Sequence, residues 1–131
     1  MNIELSNTVN EVVKFTNQHQ INAVFQINTV DDLTAGHPYQ DSLWAKFESK
    51  AGVYILMRAE GQGVHYIGMS EKGIGGRLYG WLFKPNKVND AVKSSDIVLT
   101  ITLEEQSYMA PALESYLISK LETNLNVMKI A

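Results

Sequence analysis

Two short apolar runs separated by a glycine-bearing break constrain this chain most. Gly52 to Ala59 reads GVYILMRA and Val64 to Met69 reads VHYIGM, with Glu60-Gly61-Gln62-Gly63 between them. Apolar, partly β-branched runs around such a turn predict an antiparallel hairpin. Asp96 to Glu104 (DIVLTITLE) sets Ile97, Leu99, Ile101 and Leu103 against Val98, Thr100 and Thr102, which predicts a strand with one firmly buried face. Between hairpin and strand, Ile74, Leu78, Trp81 and Leu82 recur at helical spacing until Pro85-Asn86 stops them. After the strand, Pro111 suits the first turn of a helix with Leu113, Leu117 and Leu121 as its core stripe, ending near Thr123. The order from residue 51 is ββαβα. It predicts an α+β domain with a small three-stranded antiparallel-type sheet flanked by helices.

Residues 1–50 read as an N-terminal helical extension of a domain spanning 51–131. Thr8-Val9-Asn10-Glu11 has the form of a capping box, so a helix is expected over 8–18, with Val9, Val12 and Val13 on its apolar face. Ala23 to Ile27 suits a short strand, Gly36-His37-Pro38 a turn, and Asp41 to Glu48 a short amphipathic helix. Leu33, Leu43, Trp44 and Phe47 argue that the extension packs on the domain. A chain of 131 residues suits one core.

Net charge is −3, which argues against strong nonspecific attraction to nucleic acid, but the charge is unevenly spread. Residues 51–93 carry six bases (Arg58, Lys72, Arg77, Lys84, Lys87, Lys93) against three acids; the segments on either side are acidic. This middle third is either a solvated surface or one that faces phosphate. No cysteine is present, which removes disulfides and thiolate metal sites and fits a reducing cytoplasm. No secretory signal and no apolar run of about 18 residues are found, so no membrane association is expected.

Five residues carry the candidate chemistry. Glu114 lies among Ile118 and Leu121 on the apolar side of its helix, where a carboxylate is costly unless it is paired or binds a metal. Arg77 is a solvated face, a stem packed on aromatics, or a planar fork for a phosphate. Tyr54 and Tyr66 are either strand packing or phenols that act on a ligand. A phenol ionises near pH ~10 and needs a nearby cation to act as a base at neutral pH. Asn126 follows in the C-terminal segment. His65 precedes Tyr66, and strict alternation would turn it to the opposite face. His19 and His37 show no metal spacing. Gly73-Ile74-Gly75-Gly76 has the look of a phosphate loop at a helix start but lacks a Walker ending; it lets the backbone turn close to Arg77. Ser70 and Lys72 precede it, within reach of a nucleic-acid phosphate.

GVY…YIG, followed by Arg77, Glu114 and Asn126, resembles the GIY-YIG nuclease superfamily over about residues 51–127. The resemblance implies a compact α+β fold and metal-dependent endonuclease action on DNA at a single site. It implies Tyr66 as general base, Tyr54 as the group orienting phosphate or water, and Arg77 as stabiliser of phosphoryl charge. Glu114 would be the sole protein ligand of Mg²⁺ or Mn²⁺, with Asn126 tying the site together. Ser70, Lys72, Lys84 and Lys87 would contact the nucleic acid. The chain departs from the family pattern at Trp81, four residues after Arg77, where histidine or tyrosine is often found; tryptophan donates a proton but does not accept one. The alternative expectation is a weak or inactive module on the same scaffold that binds nucleic acid or protein. A protein partner or a homo-oligomer would supply specificity in either case.

Overall fold

The computed structural model describes residues 3–35, 41–60 and 63–126. Helix α1 (Ile3–Gln18) leads to strand β1 (Ala23–Thr29), then to two short helices, α2 (Val30–Thr34) and α3 (Asp41–Ala45). The hairpin follows as β2 (Gly52–Met57) and β3 (Val64–Ser70). Next come α4 (Ile74–Phe83), α5 (Lys87–Ala91) and β4 (Ile97–Leu103), and a 3-10 turn (Ser107–Met109) opens into α6 (Ala110–Lys120). The turn expected at 36–38 lies outside the described residues.

The α+β class is as expected, but the sheet has four strands, in the order β1-β4-β2-β3, and every pairing is antiparallel. The extra strand is β1. It pairs along the whole of β4, from Ala23 opposite Leu103 to Thr29 opposite Ile97. Three strands from residue 51 onward would have left β4 as an edge, yet Val98, Thr100 and Thr102 are as buried as the other face of that strand. A strand buried on both faces belongs inside a sheet.

Helices cover both faces. On one, α1 and α6 pack Val12, Phe15, Leu113 and Leu117 against Val53, Ile55, Leu99 and Ile101. On the other, Leu33, Trp44 and Phe47 join Leu78, Leu82 and Val88 over Tyr54, Leu56 and Val98. Full burial of a side chain such as Leu113 or Leu117 contributes roughly 1.5–3 kcal/mol.

Helix α1 corrects the capping-box reading. It starts by Ile3, so Thr8 is inside it, fully buried, and its hydroxyl has no hydrogen-bond partner. Glu11 instead accepts a bond from Tyr116 of α6 at 2.7 Å. The buried stripe runs through Thr8, Val12 and Phe15, while Val13 is exposed.

Gly68 and Gly75 sit where close approach leaves no room for a Cβ. A Cβ on Gly68 would overlap the Tyr54 phenol, and a Cβ on Gly75 would sit 2.7 Å from Cγ of Glu48. The second contact gives the glycine-rich loop its role. Ile74 N–H donates to Lys50 O at 2.9 Å and Gly75 N–H to Glu48 O at 3.0 Å, so the start of α4 is tied to the turn after α3. Those amides are used within the fold and do not await a phosphate.

Candidate active site

Strand β3 is an edge strand, and the segment after α6 covers part of that edge. Val64 N–H donates to Glu122 O (3.1 Å), Asn124 N–H to Val64 O (2.9 Å) and Leu125 N–H to His65 O (2.9 Å). Asn126 continues the ladder with its side chain. Its Oδ1 accepts from Ile67 N–H and its Nδ2 donates to Ile67 O, both at 2.8 Å. One side-chain amide thus substitutes for a strand residue on both sides of Ile67, next to Tyr66.

A cleft of about 450 Å³ opens here, lined by Tyr66, Trp81, Lys87, Glu114, Leu125 and Asn126. Tyr66 comes from β3, Trp81 from α4 and Lys87 from α5. Glu114 reaches it from α6, whose apolar stripe packs on the opposite face of the sheet. Its half-burial reflects that position between core and cleft.

Tyr54 lies behind this wall and is fully buried. Its hydroxyl accepts from Nε1–H of Trp81 at 2.7 Å. The Trp81 ring packs against Tyr66 with centroids 4.7 Å apart, and the two tyrosine rings are 6.3 Å apart. Trp81 therefore joins both tyrosines. Its indole N–H, the one polar group it has, is committed to the phenol oxygen of Tyr54.

The electrostatics show the sequence-distant residues acting on one another. Burial pushes the Tyr54 phenol well above its ordinary value; the Trp81 hydrogen bond and the Arg77 charge oppose this, and Tyr66 and Glu114 add to it. Tyr66 is also raised, first by burial and then by Glu114, with Arg77 acting in the other direction. Arg77 is exposed on α4, one turn ahead of Trp81. Tyr54, Tyr66, Arg77 and Glu114 thus share a field, although Tyr54 and Arg77 do not line the cleft.

The expected nucleic-acid contacts separate. Lys87 lines the cleft, and Lys72 and Lys84 are exposed. Ser70 is turned inward: its hydroxyl accepts from the amides of Lys72 (3.1 Å) and Gly73 (2.9 Å), which shapes the turn into α4.

Three features were missed in the sequence. Asn86, read as part of a helix stop, also caps α5 by accepting from Asn89 N–H at 2.7 Å, and it lines the cleft. Leu125 was not singled out. His65 does not follow strict alternation, because Leu56 pairs with Tyr66 and Met57 with Val64, which leaves His65 as a bulge. It is buried with Nε2 2.9 Å from Oδ2 of Asp96. No local signal links positions 31 residues apart.

Among the described residues there is no group of three or more histidine, aspartate or glutamate side chains placed to hold a metal. Among the described residues the cleft offers one carboxylate, Glu114, while both amide atoms of Asn126 are engaged by Ile67. That donor set fits a hard cation such as Mg²⁺, which keeps several waters and takes one or two carboxylates, and does not fit an all-protein cage. No described helix is long and apolar enough to cross a membrane. No known protein family, curated protein or solved structure matches this chain.

Proposed function

We propose that this chain is a metal-dependent endonuclease that hydrolyses DNA phosphodiesters at one site, in the manner of the GIY-YIG nucleases its motifs resemble. One observation carries the reading: Tyr66, Glu114 and Asn126 meet at one cleft, with the charge of Arg77 acting on both tyrosines. Packing alone does not require a carboxylate and a cation acting in opposite directions on one phenol.

The roles are those the resemblance implies, weighed against the geometry of the cleft. Tyr66 is the titratable side chain of the β hairpin that faces the cleft, and it is the group to take a proton from attacking water. Its raised pKa works against that role in the free protein, since burial and Glu114 both favour the neutral phenol. A divalent cation at Glu114 would neutralise that carboxylate and stabilise charge on the phosphoryl oxygens. Arg77 stabilises the same charge from α4, and Lys87 holds a neighbouring phosphate from α5. Tyr54, sealed behind Trp81, positions the aromatic wall. Asn126 fixes the backbone beside Tyr66. Positioning and charge stabilisation are most of what phosphoryl transfer needs.

A second reading, a binding module with weak or no catalysis, is favoured by Trp81. It occupies the wall with its N–H already bonded, and leaves the raised phenol of Tyr66 as the base. Conversion of supercoiled plasmid in Mg²⁺ and in Mn²⁺ separates the two. The nuclease reading expects nicked or linear product from the wild type and at least a hundredfold loss with Glu114→Ala or Arg77→Ala. DNA binding that weakens with salt, needs no metal and yields no product would instead support the module.

A further inference from the structure

A second cleft, of about 410 Å³, adjoins the first, and Leu125 lines both. Helix α5 runs between them: Lys87 and Val88 face the first, Ala91 and the following Lys93 the second. The second cleft is also lined by Arg58, Glu60, His65 and Asp96. Arg58 and Lys93 are exposed and bring two cations to it.

The floor is a built structure. Asp96 accepts from Ala59 N–H (3.0 Å), Lys93 N–H (2.9 Å) and the His65 ring (2.9 Å). Burial opposes its charge, but these three bonds outweigh burial and hold the carboxyl below the ordinary aspartate range. A carboxylate only accepts, so Nε2 of His65 is the donor of this bond. Asp96 thereby joins the end of β2, the exit from α5 and the β3 bulge, the three pieces that carry Arg58, Lys93 and His65. The lining thus carries Arg58 and Lys93 beside two carboxylates, Asp96 held on the floor and the exposed Glu60.

We propose that this second cleft is a subsite for the phosphate flanking the scissile one: the DNA strand in the Tyr66–Glu114 cleft passes over Leu125 and α5, and its next phosphodiester is held by Arg58 and Lys93. The inference rests on the nuclease reading above and gives it a strand path. It also uses three of the six bases of the middle third: Arg58, Lys87 and Lys93 line the two clefts that meet at Leu125. His65 and Asp96, bonded to each other, form the polar floor of the second cleft.

The test is equilibrium binding of a fluorescein-labelled 12-nucleotide DNA single strand, followed by anisotropy in EDTA over a series of salt concentrations. The proteins are wild type, Arg58→Ala/Lys93→Ala, Lys87→Ala, and Lys14→Ala as a control for loss of a cation on the far helix α1. We expect the double variant to bind at least tenfold more weakly and to lose about 1.4 from the slope of log affinity against log salt, the loss for two single-strand phosphate contacts. Lys14→Ala should match wild type. If the double variant keeps the wild-type affinity and slope while Lys87→Ala weakens binding, the strand does not cross the second cleft and the nuclease reading stands without it. If Lys14→Ala weakens binding as much as the double variant, the effect is overall charge and the subsite is refuted. If wild type binds no DNA in EDTA, the strand path is refuted, and the plasmid assay in Mg²⁺ and Mn²⁺ decides the nuclease reading. Unchanged thermal melting of each variant, at exposed positions, establishes that binding and not folding is being read.

Discussion

Trp81 is the residue on which the candidate site turns. It packs on Tyr66 and donates to Tyr54, so one side chain sets the spacing of both phenols. Trp81→Phe keeps an aromatic ring in the wall but leaves the Tyr54 hydroxyl, fully buried, without its donor. The expected cost is about 1–3 kcal/mol, the penalty for orphaning a buried polar group, measured by urea unfolding. A change under about 0.5 kcal/mol would mean that the bond contributes nothing to stability. The tyrosines also fix an alkaline limit. Both phenols are raised in the fold, by burial first, so the folded state holds their protons more tightly than the unfolded chain does. The sign is that of a raised group: stability is fully present below the unfolded value near ~10 and is lost as pH rises through the folded values. Chemical denaturation midpoints should therefore fall between roughly pH 10 and 12. Tyr54→Phe, which loses one of the two titrations, should flatten that fall; an equally steep decline would assign it to other groups.

At the scale of elements, two side chains show opposite uses of a polar group, one stranded and one doubly bonded. In α1 the Thr8 hydroxyl is buried with no partner, between helix and core. Thr8→Val keeps the shape and removes the stranded polar group, so the protein should be stabilised by about 1 kcal/mol in urea unfolding. Loss of stability would mean that the hydroxyl is satisfied in solution. In the segment after α6, Asn126 makes both hydrogen bonds to Ile67. Asn126→Ala should cost about 1–2 kcal/mol and speed amide exchange at Ile67, because it strands an N–H and a C=O of the edge strand. Amide exchange at Ile67 unchanged from wild type would show that the strand edge does not depend on this clamp. These cases also mark what the sequence could disclose. The hairpin, α4, β4 and α6 were legible because each has its own periodicity and its own stop, and the leucine stripe at 113, 117 and 121 is buried as read. Tyr66 and Glu114 were legible as a pair only through the motif order. The capping-box misreading of Thr8 arose because a cap and an interior threonine share one local pattern, and only the tertiary surface above the helix decides. The His65 bulge and its bond to Asp96 depend on strand register, which leaves no trace in neighbouring residues. Helix α5, Lys87–Ala91, is too short to show a period.

Across the whole molecule, the described residues among 1–50 supply β1 to the sheet and side chains to both cores, and their position says how they serve the site. β1 is at one edge of the sheet and the candidate cleft is at the other, beside β3. The N-terminal residues therefore act through the core and through α4. Leu33, Trp44 and Phe47 pack in the same cluster as Tyr54 and Leu78, and the carbonyls of Glu48 and Lys50 hold the start of the helix that carries Arg77 and Trp81. A protein starting at residue 51 would expose both buried faces of β4 along its outer edge, lose Val12 and Phe15 from one core and Trp44 and Phe47 from the other, and free the α4 start. Loss of four such apolar side chains alone is roughly 6–12 kcal/mol, comparable with the whole stability of a domain this size. A chain of residues 51–131 should show no cooperative thermal transition and poorly dispersed amide resonances. In the complementary experiment, limited proteolysis of the full chain should not release a stable 51–131 core. A folded, cooperatively melting 51–131 fragment would reverse the conclusion, make β1 a dispensable edge, and return residues 1–50 to the status of an appendage. If the fragment fails alone but folds on adding a peptide of residues 1–50, β1 and the α3 turn supply tertiary contacts that need no covalent link to α4, and Tyr54 should recover its protection from solvent in the same titration.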